Sequence, residues 1–518
     1  MVNQTNYRVQ YDSGKQTICI QEMGKRAKIE IEITSGGSIS SLRINDVLQT
    51  ENPTEIPEIW ALITTACFKQ ALESSSEYST DTFNGNPIRI QIVRRGLKEV
   101  PEYHLLTFIE MLKKSIERYS DPAMKVYFWS DIHRASDLGG PSRDYLDDLA
   151  EGIMMSPAQN FILLHGLAIP QAKQNVTQSQ LALLDREESS IYEALGALMM
   201  YCFHSQSDNI SCDTTRLLGH HFDGTIFKGA LTLTAQEIET PFDKLTPVTL
   251  LKLSQAVLKE KQDSGQNVAH LQQWFSILNE CNNLSNRKLA EAAQTLAVAG
   301  ALPQKFQKPQ QDDTPDMDAI KANHSEFKNC FQHFVFSQES SFGQIGKMLA
   351  PIHAIAKGMK SICNPGCFRD AADNDHWNTH IQHIDYQAFR EKVQGSLDPS
   401  MIAEQIQPLS RFTEILKKVK WLKEWIKEEA TQEELRAFLK FSTGTSALLK
   451  GKTIKIMSQT YSENDCAYYP IPKAHTCTLQ LQLAPEPSQY GSYNDHTKEA
   501  FIKALKDLAF NVTGYQIT

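Results

Sequence analysis

Cysteine is scarce in this chain: ten in 518 residues, without the crowded spacing of a disulfide scaffold. Most of the thiols are therefore expected to be reduced. Basic charge is not in excess either. Lys and Arg number 52 against 61 Asp and Glu, a formal net charge of −9. That balance argues against a general nucleic-acid binder, whose affinity rests on Lys and Arg neutralising phosphates. Long apolar runs are missing as well; Phe161 to Ala168 is interrupted by His165 and Gly166, and nothing approaches a membrane span. The amino end, Met1-Val2-Asn3-Gln4-Thr5, is too polar for a secretory signal. A cytoplasmic location and protein partners are expected, with no nucleic acid and no membrane span.

What is present fits a multi-domain enzyme. Hydrophobic residues make up 41% and charged residues 22%, ordinary proportions that allow a large core. At roughly 150 residues per folding unit, three or four units are expected. Near the amino end Ile29, Ile31 and Ile33 alternate with Lys28, Glu30 and Glu32, and Ile88, Ile90 and Ile92 alternate with Arg89 and Gln91. Both are period-two strand patterns, the second preceded by an Asn84-Gly85 turn. From Tyr103 the pattern turns helical through Leu105, Ile109 and Leu112, and Val126-Tyr127-Phe128 reads as a buried strand before Gly139-Gly140. Arg143 follows, suited either to fixing that turn through carboxylates or carbonyls or to solvent. Tyr192, Leu195, Leu198 and Met199 form a helical core stripe.

Three amphipathic helices are predicted between Thr246 and Gly300, carrying Leu250, Leu253 and Val257, then Val268, Leu271, Phe275 and Leu278, then Leu289, Ala292 and Leu296. Pro303 to Pro315 has the composition of a loop or flexible linker. Cys363, Cys367, His376, His380 and His383 could surround zinc, but the gap between the Cys pair and the His pair is short and Asn364-Pro365-Gly366 already explains a turn; the reading is no metal. His220 and His221 are adjacent, cannot both face one ion from a regular element, and are expected to be unremarkable.

The last hundred residues are the most legible. Phe412, Ile415, Val419, Leu422 and Ile426 define an apolar helix face, with Lys417, Lys418, Lys420 and Lys423 read as its solvated flank. Thr431-x-x-Glu434 is a capping box ahead of Leu435, Phe438 and Leu439. Thr453 to Met457 and Thr478 to Leu483 read as strands, and Phe501, Leu505 and Leu508 as one face of a closing helix. Cys477 ends the run Pro472-Lys473-Ala474-His475-Thr476-Cys477, at a loop-to-strand junction irregular on its approach because of Pro470 and Pro472. A thiol there reaches solvent and suits a nucleophile. A free cysteine is more often a small buried hydrophobe, and the local pattern leaves both readings open.

The wider order of motifs resembles the HECT-type ubiquitin ligases. Thr443-Gly444-Thr445-Ser446 is similar to the family's Thr-Gly-Ser/Thr-Ser turn, Pro472 to Cys477 to its Pro-x-Ala-His-Thr-Cys nucleophile loop, and Tyr515 stands fourth from the carboxyl end, where the family carries an aromatic residue, usually Phe. Asp137-Leu138-Gly139-Gly140-Pro141-Ser142-Arg143-Asp144-Tyr145 resembles the Asp-x-Gly-Gly-x-x-Arg-Glu-Phe block of the larger lobe. The resemblance implies an α+β fold: a bilobal HECT-like domain, with a large mostly helical N-lobe over 103–413 and a small α+β C-lobe over 414–518, preceded by a small β-containing module over 1–102 suited to substrate recognition or to capping the larger lobe. It implies a subdomain for the ubiquitin-conjugating enzyme at about 230–325 and an interlobe joint between Gln407 and Lys418, although no glycine marks one. It also implies two steps, ubiquitin passing from the conjugating enzyme to Cys477 as a thioester and then to a lysine of a protein substrate, without metal or organic cofactor.

His475, two residues from Cys477 and about 6–7 Å away along an extended segment, is a poor general base and better suited to shaping the loop. Thr476 and Thr478 could donate to a developing oxyanion or only support the loop. The short amino-terminal region and the Gln, Asn and His usage suggest a bacterial effector acting in a host cytoplasm. Two rival readings stand beside the ligase: a cysteine hydrolase acting on ubiquitin or peptide bonds, and an inactive scaffold of the ubiquitin pathway.

Overall fold

The computed structural model of the chain describes residues 140–155, 188–204, 215–263, 286–298, 300–309, 314–336, 343–362, 376–459, 471–485 and 489–511 except 491–492, together with strands and short helical pieces before residue 171. Near the amino end β1 (Tyr7–Asp12), β2 (Thr17–Glu22), β3 (Lys28–Ile33), β4 (Ile39–Ile44) and β5 (Val47–Leu48) pair antiparallel in chain order. Register sets Ile31 opposite both Ile18 and Leu42. The second alternation is divided between two pairings. β6 (Thr80–Asp81) pairs antiparallel with β7 (Arg89–Ile90), and β8 (Ile92–Val93) pairs parallel with β9 (Phe128–Trp129). Asn84-Gly85, Val126 and Tyr127 lie outside the described residues.

The main core is largely helical. It takes Leu105, Ile109 and Leu112 from helical residues between 101 and 113, then α1 (Gly140–Met154), the hairpin β10 (Phe161–Leu164) and β11 (Leu167–Pro170), and α2 (Glu188–His204). It continues through α3 (Gly224–Thr232), α4 (Ala235–Glu239) and α5 (Pro247–Asp263). The predicted stripe Tyr192, Leu195, Leu198 and Met199 is buried in it.

A second, smaller core gathers α6 (Asn286–Val298), α7 (Met317–Ala322) and α8 (His324–Phe336) around Leu289, Leu296, Phe306, Ile320, Phe327 and Phe331. Of the segment expected as a loop or flexible linker from Pro303 to Pro315, residues 303–309 and 314–315 join this unit, and 310–313 lie outside the described residues. Phe306 is fully buried edge-on to Phe327, and Lys308 N–H and Asp316 N–H close a bridge onto the carbonyls of Thr314 and Phe306, both at 2.8 Å. A single aromatic among polar residues anchors the segment, which composition alone does not register. The middle predicted helix, Val268 to Leu278, lies outside the described residues.

α9 (Gly343–Ser361) returns to the main core and crosses α2 at unusually short range. A Cβ on Gly196 would sit 1.9 Å from the Ile355 carbonyl oxygen, and one on Gly358 would sit 1.8 Å from the Glu193 carbonyl oxygen. Each helix thus gives up a side chain where the other's backbone passes. α10 (Tyr386–Gln394) completes the main core with Phe389 and Val393.

The carboxyl-terminal core begins at Leu397. α11 (Pro399–Glu404) leads into β12 (Ile406–Pro408), then α12 (Thr413–Glu428), α13 (Gln432–Thr443), β13 (Ile454–Ser458), β14 (Lys473–His475), β15 (Gln480–Leu483) and α14 (Lys498–Asn511). The sheet runs β12-β13-β15-β14, parallel across its first two pairings and antiparallel at the last. The joint expected between Gln407 and Lys418 does not fall there. That stretch is built into the sheet and α12, with Leu409 N–H donating to the Ile456 carbonyl at 2.8 Å. The chain leaves the main core at Val393 and enters the carboxyl-terminal one at Leu397, so the crossing is Gln394-Gly395-Ser396.

Two further expectations for α12 are corrected. Ile415, Val419, Leu422 and Ile426 are buried, but Phe412 is 57% exposed because it occupies the extended residue before the first turn and leaves the stripe. Lys418 is not solvated. Three residues after Ile415 and four before Leu422, it falls within the apolar stripe at 0% exposure. Its ammonium donates to Asp495 Oδ2 at 2.5 Å and to the Ala484 carbonyl at 3.0 Å, the partners that make such burial tolerable. The capping box at Thr431 and Glu434 is present as expected.

Candidate active site

Cys477 occupies the centre of a single 3-10 turn, Thr476–Thr478, between the antiparallel neighbours β14 and β15. The irregular approach expected from Pro470 and Pro472 gives way to a short strand at Lys473, where Ala474 pairs with Leu481 and His475 with Gln480. The following strand starts two residues later than expected because Leu479 adopts a left-handed conformation at φ 51°. For a leucine this costs roughly 1–2 kcal/mol; burial of its side chain offsets that cost. The expected alternation survives, with Leu481 and Leu483 buried and Gln480 and Gln482 half-buried.

The flanks of the turn reach solvent. His475 is exposed, and Thr476 and Thr478 are half-buried. Thr478 Oγ1 donates to the His475 carbonyl at 3.3 Å, which is loop support. Tyr515 lies outside the described residues.

The two sequence blocks that stand 300 residues apart meet directly at this turn. Arg143 leaves the first turn of α1, is 1% exposed, and spreads its guanidinium over three backbone carbonyls. Nε donates to Thr443 at 2.9 Å, Nη1 to Thr215 at 3.4 Å, and Nη2 to Thr476, the residue before Cys477. Arg143 is therefore not a solvated charge, and the carbonyls it binds belong to remote segments rather than to the Gly139-Gly140 turn, the target expected from sequence. The Thr476 carbonyl also accepts the Leu479 N–H at 3.4 Å that closes the turn.

One helical turn along α1, Asp147 builds the second half of the junction. Its Oδ1 accepts from Ser446 Oγ at 2.6 Å and from His221 Nε2 at 3.0 Å, while Lys440 Nζ lies 3.2 Å from Oδ2 and also bonds Asp148. Burial works against a charged carboxylate here, but Lys440 and the bonds from His221 and Ser446 outweigh it and hold Asp147 well below the usual carboxylate range. Lys440 is itself disfavoured by burial, yet Asp147, Asp148 and Glu151 push its ammonium above the ordinary lysine value.

Gly219, at φ 73°, lets the chain pass this cluster: a Cβ there would lie 1.8 Å from Asp147 Oδ1, 2.5 Å from Ser446 Oγ and 2.7 Å from His221 Nε2. Ser446, His221 and Asp147 do not form a hydrolytic relay. Hydroxyl and carboxylate both address Nε2, and Ser446 donates to Asp147 itself, whereas a relay needs opposite ring nitrogens.

The expectation that His220 and His221 are unremarkable is overturned. Adjacent residues point apart, and that is their use: His221 faces Asp147 while His220 stands among Arg390, Arg436 and the Gly395 carbonyl. Burial, then the two guanidinium charges, push His220 down to about 3. Arg436 Nη2 donates to the His220 carbonyl at 2.7 Å, tying α13 to the 215–223 segment. Gln394, at the crossing, brackets Phe222 with bonds to its N–H and carbonyl at 2.9 and 2.8 Å. The rings of His376 and His380 lie 4.9 Å apart, tilted by 47°, on one turn, Cys363 and Cys367 lie outside the described residues, and no metal-ligating group of three is found among the described residues. No helix among the described residues is long and apolar enough to cross a membrane.

Comparison with curated proteins finds no match. The family model described as HECT-domain (ubiquitin-transferase) matches residues 321–506, a span that includes α13, the Thr443 to Ser446 turn and Cys477. Arg143, Asp147 and His221, which complete the junction, lie ahead of that span, and over the span itself the chain is similar to the HECT-type ubiquitin-transferase domain.

Proposed function

We infer that this chain is a HECT-type ubiquitin-protein ligase in which Cys477 carries ubiquitin between a conjugating enzyme and a substrate lysine. The Cys477 thiolate attacks the thioester carbonyl of the loaded conjugating enzyme; the new C–S bond forms as the old one breaks, and the conjugating enzyme leaves with its thiol. A neutral lysine amine then attacks the Cys477 thioester, forming the isopeptide C–N bond, releasing the Cys477 sulfur and losing a proton to solvent. Neither step changes oxidation state. An exchange between thioesters is nearly balanced in energy and needs no strong base, consistent with a turn next to which His475 is exposed.

The observation that carries this reading is Cys477 at the centre of a solvent-flanked turn inside the matched span. In the bilobal arrangement that the family implies, the main core with its small helical unit would form the larger lobe and the residues from Leu397 the catalytic lobe. The separate core of α6 to α8 is the candidate surface for the conjugating enzyme, the amino-terminal strands a candidate substrate module, and Tyr515 a candidate anchor for the tail during transfer. The test is incubation with activating enzyme, conjugating enzyme and ubiquitin. A thiol-sensitive adduct that Cys477→Ala abolishes is expected. Cleavage of preformed chains without an adduct would favour a hydrolase, and binding without either a scaffold; both would reject the ligase.

A further inference from the structure

Arg143 has no role in the chemistry just described, yet it is a buried cation that holds backbone at three points. Its three carbonyl partners come from three segments: the 215–223 passage, the end of α13 and the Cys477 turn. The third is the telling one. The Thr476 carbonyl is bonded to the Cys477 nitrogen and is also the acceptor that closes the turn from Leu479, which itself sits in a left-handed conformation unfavourable for leucine. The turn's own bonds are long, 3.4 Å from Leu479 N–H and 3.3 Å from Thr478 Oγ1, and they stand beside a strained residue. A guanidinium on the same carbonyl, with a second donor fixed on Thr443, locks the turn's position relative to α13 and α1.

We propose that Arg143 is a positioning residue for Cys477: by clamping the Thr476 and Thr443 carbonyls it fixes the nucleophile's turn, and it does so only while α1 and the carboxyl-terminal core are docked through Asp147, Ser446 and Lys440. This rests on the ligase reading. The two steps differ in their need for that clamp. Exchange between thioesters uses a strong sulfur nucleophile and tolerates a loose turn. Attack by an amine demands that the thioester carbonyl and the incoming nitrogen be aligned, where a displacement of about 1 Å costs on the order of a hundredfold.

The experiment uses the full chain with Arg143→Gln, Arg143→Lys and Lys440→Gln. Three quantities are read: amide hydrogen exchange at Leu479, and the separate single-turnover rates of loading from the conjugating enzyme and of discharge onto free lysine. For Arg143→Gln, exchange at Leu479 at least tenfold faster is expected, with discharge at least tenfold slower and loading within about threefold of the parent. Arg143→Lys, which keeps one donor, restores part of both. Lys440 is partly exposed and touches none of the carbonyls that Arg143 holds, so Lys440→Gln decides the matter if Arg143→Gln does not fold; the same discharge-selective loss is expected. Unchanged exchange with discharge within twofold overturns the proposal, as does equal loss of both steps in a folded variant. A parent chain that takes no ubiquitin overturns the ligase reading instead, and exchange at Leu479 alone then decides whether Arg143 holds the turn.

Discussion

Replacing Gly219 by alanine tests the junction between α1 and the carboxyl-terminal core most directly. The residue sits at φ 73°, where an L side chain is strained by roughly 1–2 kcal/mol. Its added methyl would also lie 1.8 Å from Asp147 Oδ1 and 2.5 Å from Ser446 Oγ, far inside contact distance, so either the carboxylate or the backbone must move. Moving the carboxylate breaks its bonds to Ser446 and His221 in a buried setting, at about 1–3 kcal/mol for each group left unpaired. The expected total is about 3–8 kcal/mol. Gly300→Ala supplies the control: its φ is 64° and nothing lies within 4 Å of the added methyl, so it incurs the backbone term alone. Urea unfolding of both variants separates the two contributions, since their difference isolates the contact. Exchange at the Thr443 to Ser446 amides should rise only in Gly219→Ala. If the two variants are destabilised equally, the Asp147 cluster does not hold the junction and the reasoning fails.

Two further outcomes follow from buried charges. Lys418→Met leaves Asp495 uncompensated and should cost about 3–5 kcal/mol in denaturant melts, whereas Lys418→Met with Asp495→Leu should recover most of it; a single variant as stable as the parent would show the pair to be dispensable. His220 is held down to about 3 by burial and by Arg390 and Arg436, against an ordinary 6.5. A depressed histidine means that the unfolded chain binds the extra proton between those values, so stability should be fully present above about pH 6.5 and decline by a few kcal/mol as pH falls toward 3. His220→Gln should flatten that decline; an unchanged profile would remove His220 as its source.

Much of the carboxyl-terminal unit was readable from local pattern. The capping box at Thr431, the stripe Ile415, Val419, Leu422 and Ile426, and the alternation of Leu481 and Leu483 all depend on near neighbours, and spacing encodes them. What escaped depends on partners far along the chain. Nothing beside Lys418 reveals that Asp495, 77 residues on, will receive its ammonium. His220 and His221 look like an idle pair until Asp147 and Arg390 close on opposite sides. Arg143 is the extreme case. Its acceptors are main-chain carbonyls, which every residue possesses, so neither Thr443 nor Thr476 advertises the contact in its side chain. The Cys477 motif itself was plain, but the left-handed Leu479 that shapes its turn was not, because leucine carries no signal for that conformation.

The make-up of the four-stranded sheet bears on how the carboxyl-terminal unit can be prepared in isolation. A fragment beginning at residue 414 would omit β12 and with it Ile402, Ala403 and Ile406, leaving the backbone edge of β13 bare along Ile454 to Ile456. Such an edge invites pairing with a second molecule. Expression boundaries placed ahead of Ser396 keep that strand in place and should yield a monomer, whereas the shorter fragment should self-associate.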